Sequence, residues 1–70
     1  MFEVLKGKLD RHDRYFNLNT IQSFYIYYST DGSRNLSVLL LNRMESLSEK
    51  YYDIDDFVNR IKDRDNLVTQ

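Results

Sequence analysis

The sequence predicts an α+β fold: a four-stranded antiparallel sheet, or a five-stranded one, with a C-terminal helix packed on one face. Three observations predict it. Phe24 to Leu41 reads FYIYYSTDGSRNLSVLLL, an aromatic run, a polar break and an aliphatic run, which is the outline of two strands and a turn. Ile54, Phe57, Val58 and Ile61 recur at helical spacing on one face. The stretches before the aromatic run alternate in polarity, and alternation is the signature of a half-buried strand.

Each element follows in order. Phe2 to Leu9 alternates imperfectly and is expected as a strand. Asp10-Arg11-His12-Asp13 is charged and reads as a turn. Arg14 to Leu18 places Phe16 and Leu18 on one face and Tyr15 and Asn17 on the other. Asn19-Thr20 is a polar break. Gln22 to Ser29 is the next strand, rich in aromatics that suit a pleated surface. Thr30-Asp31-Gly32-Ser33 is the strongest turn signal, and Asn35 to Asn42 follows as a strand. Residues 45–52 fit either a helix, since Leu47 and Tyr51 are four apart, or a short edge strand through Lys50-Tyr51-Tyr52. The helix is expected over about 54–62, with Asp53 as N-cap, Asp55 and Asp56 at its positive end and Arg60, Lys62 and Arg64 towards its negative end. The tail from about 65 to 70 is expected to fray.

Seventy residues make one small domain, 1–70. A chain of this length buries only about 60% of its unfolded surface, so its stability is marginal without help. Disulfides and thiolate metal sites are excluded because there is no cysteine, and His12 is the one histidine. Oligomerisation is the help that composition leaves open. The first residues, MFEVLKGKLD, resemble neither a signal nor a transit peptide, and no apolar run approaches a membrane span. A cytoplasmic location is the expectation. Net charge is -1, which argues against a strongly basic nucleic-acid binder. Alanine and proline are absent while tyrosine and asparagine are plentiful. That bias matches AT-rich coding and points to a low-GC bacterium or its phage.

Loop length decides which side chains of the central hairpin share a face, because the strand period is two. A two-residue Asp31-Gly32 loop mixes both faces. A three-residue loop, Thr30-Asp31-Gly32, pairs Ile26 with Leu36 and Phe24 with Val38, with Gly32 in the left-handed bulge position. Phe24, Ile26, Tyr28, Leu36, Val38 and Leu40 then form one face, which the helix can cover. Ser23, Tyr25, Tyr27, Ser37, Leu39 and Leu41 form the other. A solvated face usually carries Lys, Glu, Thr or Ser. Tyr25, Tyr27, Leu39 and Leu41 together suggest a contact surface instead. Three covers are open: the N-terminal strands curling over it, a second copy or protein partner, or single-stranded nucleic acid. The last would stack bases on Tyr25 and Tyr27 and use Arg34 and Arg43 for phosphate.

Constellations for chemistry are sparse. Asp10, His12 and Asp13 match no metal spacing and read as a solvated turn. Asp53-Ile54-Asp55-Asp56 lacks the glycine and distal glutamate of a calcium loop, and its capping role accounts for it. No glycine-rich phosphate loop or nucleophile motif is present, so no catalytic residue, metal or cofactor is assigned and a non-enzymatic protein is expected.

Phe16-Asn17-Leu18-Asn19 with Ile21, then Leu39-Leu40-Leu41-Asn42, then Asp53 to Val58 follow the order of features in the FlbD-type proteins found with flagellar genes. The chain resembles that family over nearly its whole length. The resemblance implies a small non-enzymatic module with no catalytic residues to carry over. The function expected is protein interaction, as a homodimer or with a protein partner, through the outer sheet face.

Overall fold

The structure, a computed structural model, describes residues 2–69 and the side chains of residues 2–65. Its elements run β1 (Glu3–Leu5), β2 (Arg14–Phe16), a 3₁₀ turn (Leu18–Thr20), β3 (Ser23–Tyr28), β4 (Arg34–Leu39), β5 (Met44–Ser48) and α1 (Ile54–Thr69). The α+β class holds. The single four-stranded sheet does not: β1 and β2 form a two-stranded sheet, and β3, β4 and β5 form a separate three-stranded one, all antiparallel. The reason lies between Asn17 and Gln22. Asn17 caps the 3₁₀ turn through its side chain, accepting from the Asn19 amide at 3.0 Å. The chain turns away there, so β2 cannot run on to pair with β3. The two sheets meet through an isolated Gly7–Tyr52 bridge and a 2.8 Å bond from the Lys8 amide to the Tyr51 carbonyl.

Of the stretch left open between helix and strand, residues 45–48 are strand, while the edge strand expected through Lys50-Tyr51-Tyr52 is instead a turn that ends in an isolated bridge at Tyr52. Met44–Ser48 pairs with β4 in the register Leu36–Leu47 and Val38–Glu45. It is drawn into the sheet by the tight Leu41-Asn42 turn, closed by the Leu40 amide on the Arg43 carbonyl at 2.8 Å. Residues 49–51 then turn the chain towards α1.

Ile54, Phe57, Val58 and Ile61 are all buried, as the spacing predicts. They share one core with Leu36, Val38, Leu40 and Leu47, and with Leu5 and Phe16 of the small sheet. Phe16 and Phe57 meet with ring centroids 5.0 Å apart. Asp53 caps α1: its Oδ1 accepts from the Asp56 amide at 3.1 Å. The helix continues beyond residue 62 to Thr69, since no glycine or proline interrupts it. Gln70 of the expected frayed tail lies outside the described residues. Two arginines fasten α1 to the N-terminal half. Arg60 donates to the Val4 carbonyl at 2.7 Å, and Arg64 donates to the Ile21 carbonyl at 3.0 Å. No helix among the described residues is long and apolar enough to cross a membrane.

Candidate interaction face

The β3–β4 register is the one that the three-residue loop predicts: Phe24 opposite Val38, Ile26 opposite Leu36, Tyr28 opposite Arg34. Ser29 and Ser33 close the loop through a 2.9 Å backbone bond. Gly32 takes a φ of 85°, and its amide donates to the Ser29 carbonyl at 2.9 Å. Asp31 fixes the loop further by accepting from the Ser33 amide at 2.9 Å and from Lys50 Nζ. That contact with Lys50, aided by Ser33, holds the Asp31 carboxyl well below the usual carboxylate range.

This register places Ser23, Tyr25 and Tyr27 of β3 beside Leu39, Ser37 and Asn35 of β4, and those beside Met44, Ser46 and Ser48 of β5. Side-chain alternation puts all nine on the face opposite Leu36, Val38 and Leu47. Tyr25 keeps 56% of its surface exposed and Tyr27 39%, and Met44 is also open. The N-terminal hairpin does not cover them. Its Leu5 and Phe16 are in the core with α1 instead. Among the described residues, this face has no cover.

Tyr27 Oη and Ser46 Oγ share a 2.7 Å hydrogen bond, diagonally across the central strand. The two tyrosine rings sit 6.0 Å apart, inclined by 47°. Asn35 and Ser37 beside them are buried, although among the described residues no second layer covers this face. Asn35 satisfies its amide nitrogen on Ser29 Oγ at 2.5 Å. The result is an aromatic sheet surface with polar atoms at its centre.

The residues expected at the site separate. Tyr25, Tyr27 and Leu39 come together on the outer face, Leu39 being half-buried. Leu41 is exposed but sits in the β4–β5 turn, past the end of the strand. Arg34 alternates to the opposite side from the tyrosines. Its guanidinium is bidentate on Asp55 at 3.1 and 2.9 Å and reaches Glu49 at 3.3 Å. The Arg34 amide also donates to Glu49. These contacts hold the Asp55 and Glu49 carboxyls below their ordinary range, and they raise the Arg34 guanidinium further above its own. Arg43 is paired with Glu45 at 3.1 Å, and Glu45 also takes Arg14 at 3.1 Å. Neither arginine is brought to the tyrosine pair.

Met44 and Ser46 are members of the face that sequence reasoning missed, because residues 45–52 had two readings. The signal was present: Leu47 between Ser46 and Ser48 alternates as a half-buried strand does. In the charged Asp10–Asp13 stretch, expected as a solvated turn, Asp13 Oδ1 accepts from the Gly7 amide at 2.8 Å. Comparison with protein-family models, curated proteins and solved structures returns no match to this chain.

Proposed function

We propose that this chain is a non-enzymatic protein-interaction module that contacts its partner through the outer face of the three-stranded sheet. In this reading α1 packs against the inner face of the same sheet, and the outer face is the working surface. One observation carries it: Tyr25, Tyr27 and Met44 stand exposed on a face that nothing else in the described fold uses. A face meant only for water would not concentrate aromatic surface in this way. Protein is the favoured partner over nucleic acid, because Arg34 and Arg43 are committed to carboxylates away from the tyrosines. Several of the ion pairs join one element to another, as in Arg34 with Asp55 and Lys50 with Asp31. That supports a binding rather than a catalytic role. The AT-rich composition and the FlbD-type order of features fit an accessory or regulatory protein of a low-GC bacterium or its phage.

The test is site-specific photocrosslinking in the native host, with benzoylphenylalanine at Tyr25, at Met44 and, as a control, at Lys62 on the exposed side of α1. The expected outcome is a discrete protein adduct from Tyr25 and Met44 and none from Lys62. Adducts from Lys62 alone would place the contact elsewhere and overturn the reading.

A further inference from the structure

We infer that β3 is a self-association edge: two copies of the chain join β3 to β3 in antiparallel fashion about a two-fold axis at Ile26, making one six-stranded sheet. The edge is distinct from the outer face, and the inference goes beyond the function proposed above.

The argument begins with hydrogen bonding. β3 lies at the margin of its sheet, in the order β3-β4-β5. The Ser29 amide donates to the Ser33 carbonyl, so the residues turned towards β4 are Ser29, Tyr27, Tyr25 and Ser23. By alternation, Phe24, Ile26 and Tyr28 present their N–H and C=O groups outwards. Among the described residues, no strand pairs with them on that side.

Edge strands normally carry a lysine, a proline, an inward charge or a bulge that prevents such pairing. SFYIYY carries no charge or proline, and its pairing with β4 runs without interruption from Ser23 to Tyr28. Gln22 to Thr30 contains no charged residue, so a second copy meets no like charge in any register.

The side chains give a second, independent observation. Ile26 and Tyr28 belong by alternation to the core side, yet 40% of Ile26 and 68% of Tyr28 remain exposed. The core ends before it reaches them. A second copy across the edge supplies what is missing. With the two-fold at Ile26, Ile26 faces Ile26, and Phe24 faces Tyr28 of the second copy. All three outward-facing residues then bond in pairs. On the other face Tyr25 meets Tyr27 of the second copy, joining the two tyrosine pairs into one continuous aromatic strip. An unrelated extended segment would satisfy the backbone groups, but only a second β3 pairs aromatic with aromatic on both faces at once.

The experiment uses the full chain in sedimentation velocity over a concentration series, with three variants. Ile26→Pro removes an outward N–H that β4 does not use, so the fold keeps its ladder while the edge loses its central donor. The wild type is expected at twice 8.5 kDa and Ile26→Pro at 8.5 kDa, with the far-UV circular dichroism of the two alike. A proline can disturb a strand by itself, so a cysteine pair decides the same question on an unaltered backbone. The chain has no cysteine of its own. Facing residues of a bonded antiparallel pair have Cα atoms about 5.5 Å apart, within disulfide reach. Mild oxidation is expected to link Ile26→Cys into a covalent dimer and to leave Ser46→Cys unlinked. A wild type that stays monomeric at the highest soluble concentration overturns the inference, as does a dimer that persists in Ile26→Pro. Linkage through Ser46→Cys without Ile26→Cys also overturns it, because the copies would then meet face to face on the outer surface; that result would leave the outer-face reading standing.

Discussion

Gly7 and Gly32 are the two glycines of the chain, and they are needed for different physical reasons. A Cβ on Gly7 would lie 2.2 Å from the Arg11 carbonyl oxygen and 2.8 Å from that of His12. Both atoms are backbone and cannot step aside without opening the hairpin. A Cβ on Gly32 would meet nothing within 4 Å, so its requirement is the φ of 85° alone. Gly32→Ala should therefore cost about 1 kcal/mol, the left-handed penalty. Gly7→Ala should cost more, about 1–3 kcal/mol, as overpacking does. Urea titration followed by circular dichroism measures both, and a Gly7→Ala midpoint at or above that of Gly32→Ala contradicts the steric account. Gly32 was legible in the sequence because turn chemistry is local. Gly7 was not, because its constraint comes from atoms that approach only once the hairpin closes.

Among the elements, the two hairpins contrast in how well their turns suit them. The β3–β4 loop carries Asp31 and Gly32 where a bulged three-residue loop wants them. The β1–β2 hairpin turns at Leu9 and Asp10, with φ of 51° and 66°, and is closed by the Arg11 amide on the Lys8 carbonyl at 3.1 Å. Two consecutive positive φ values define the mirror-image turn that prefers Asn-Gly. Leucine in the left-handed region is strained, and the turn is expected from the sequence at Asp10–Asp13 because that stretch is charged. Replacing Leu9 with Asn and Asp10 with Gly together should stabilise the chain by about 1–2 kcal/mol. The readout is a raised thermal midpoint with an unchanged spectrum; an unchanged or lowered midpoint counts against the strain. The same reasoning explains the element that was read two ways. Residues 45–52 have no decisive local period, and β5 forms because β4 offers it an edge.

Across the whole molecule, carboxylate–cation pairs tie the elements together. Arg34 joins the start of β4 to the turn after β5 and to the first turn of α1, through Glu49 and Asp55. Lys50 and Asp31 join the same turn to the β3–β4 loop. Glu49 is held low chiefly by the Arg34 amide, Asp55 by the Arg34 guanidinium and Asp31 by Lys50. A carboxyl whose folded pKa is depressed contributes stability above its unfolded value and loses it as pH falls through the folded one. Stability should therefore be level above about pH 5 and decline below about pH 4, where unfolded carboxyls take up protons first. Thermal melts from neutral to acidic pH test this. Asp55→Asn should flatten the acid limb, and an unchanged limb would remove Asp55 from the explanation.

By itself the sequence determined the α+β class, the helix face of Ile54, Phe57, Val58 and Ile61, its Asp53 cap, and the register of the central hairpin. Each of these rests on periodicity or turn chemistry within a few residues, where local sterics and hydrogen bonding act. Only the tertiary structure decided that the strands divide into two sheets, that the N-terminal hairpin joins the core and leaves the outer face open, and that Arg34 turns away from the tyrosines. Those outcomes depend on which distant surfaces bury one another, and burial is a property of the assembled chain rather than of any short stretch of it.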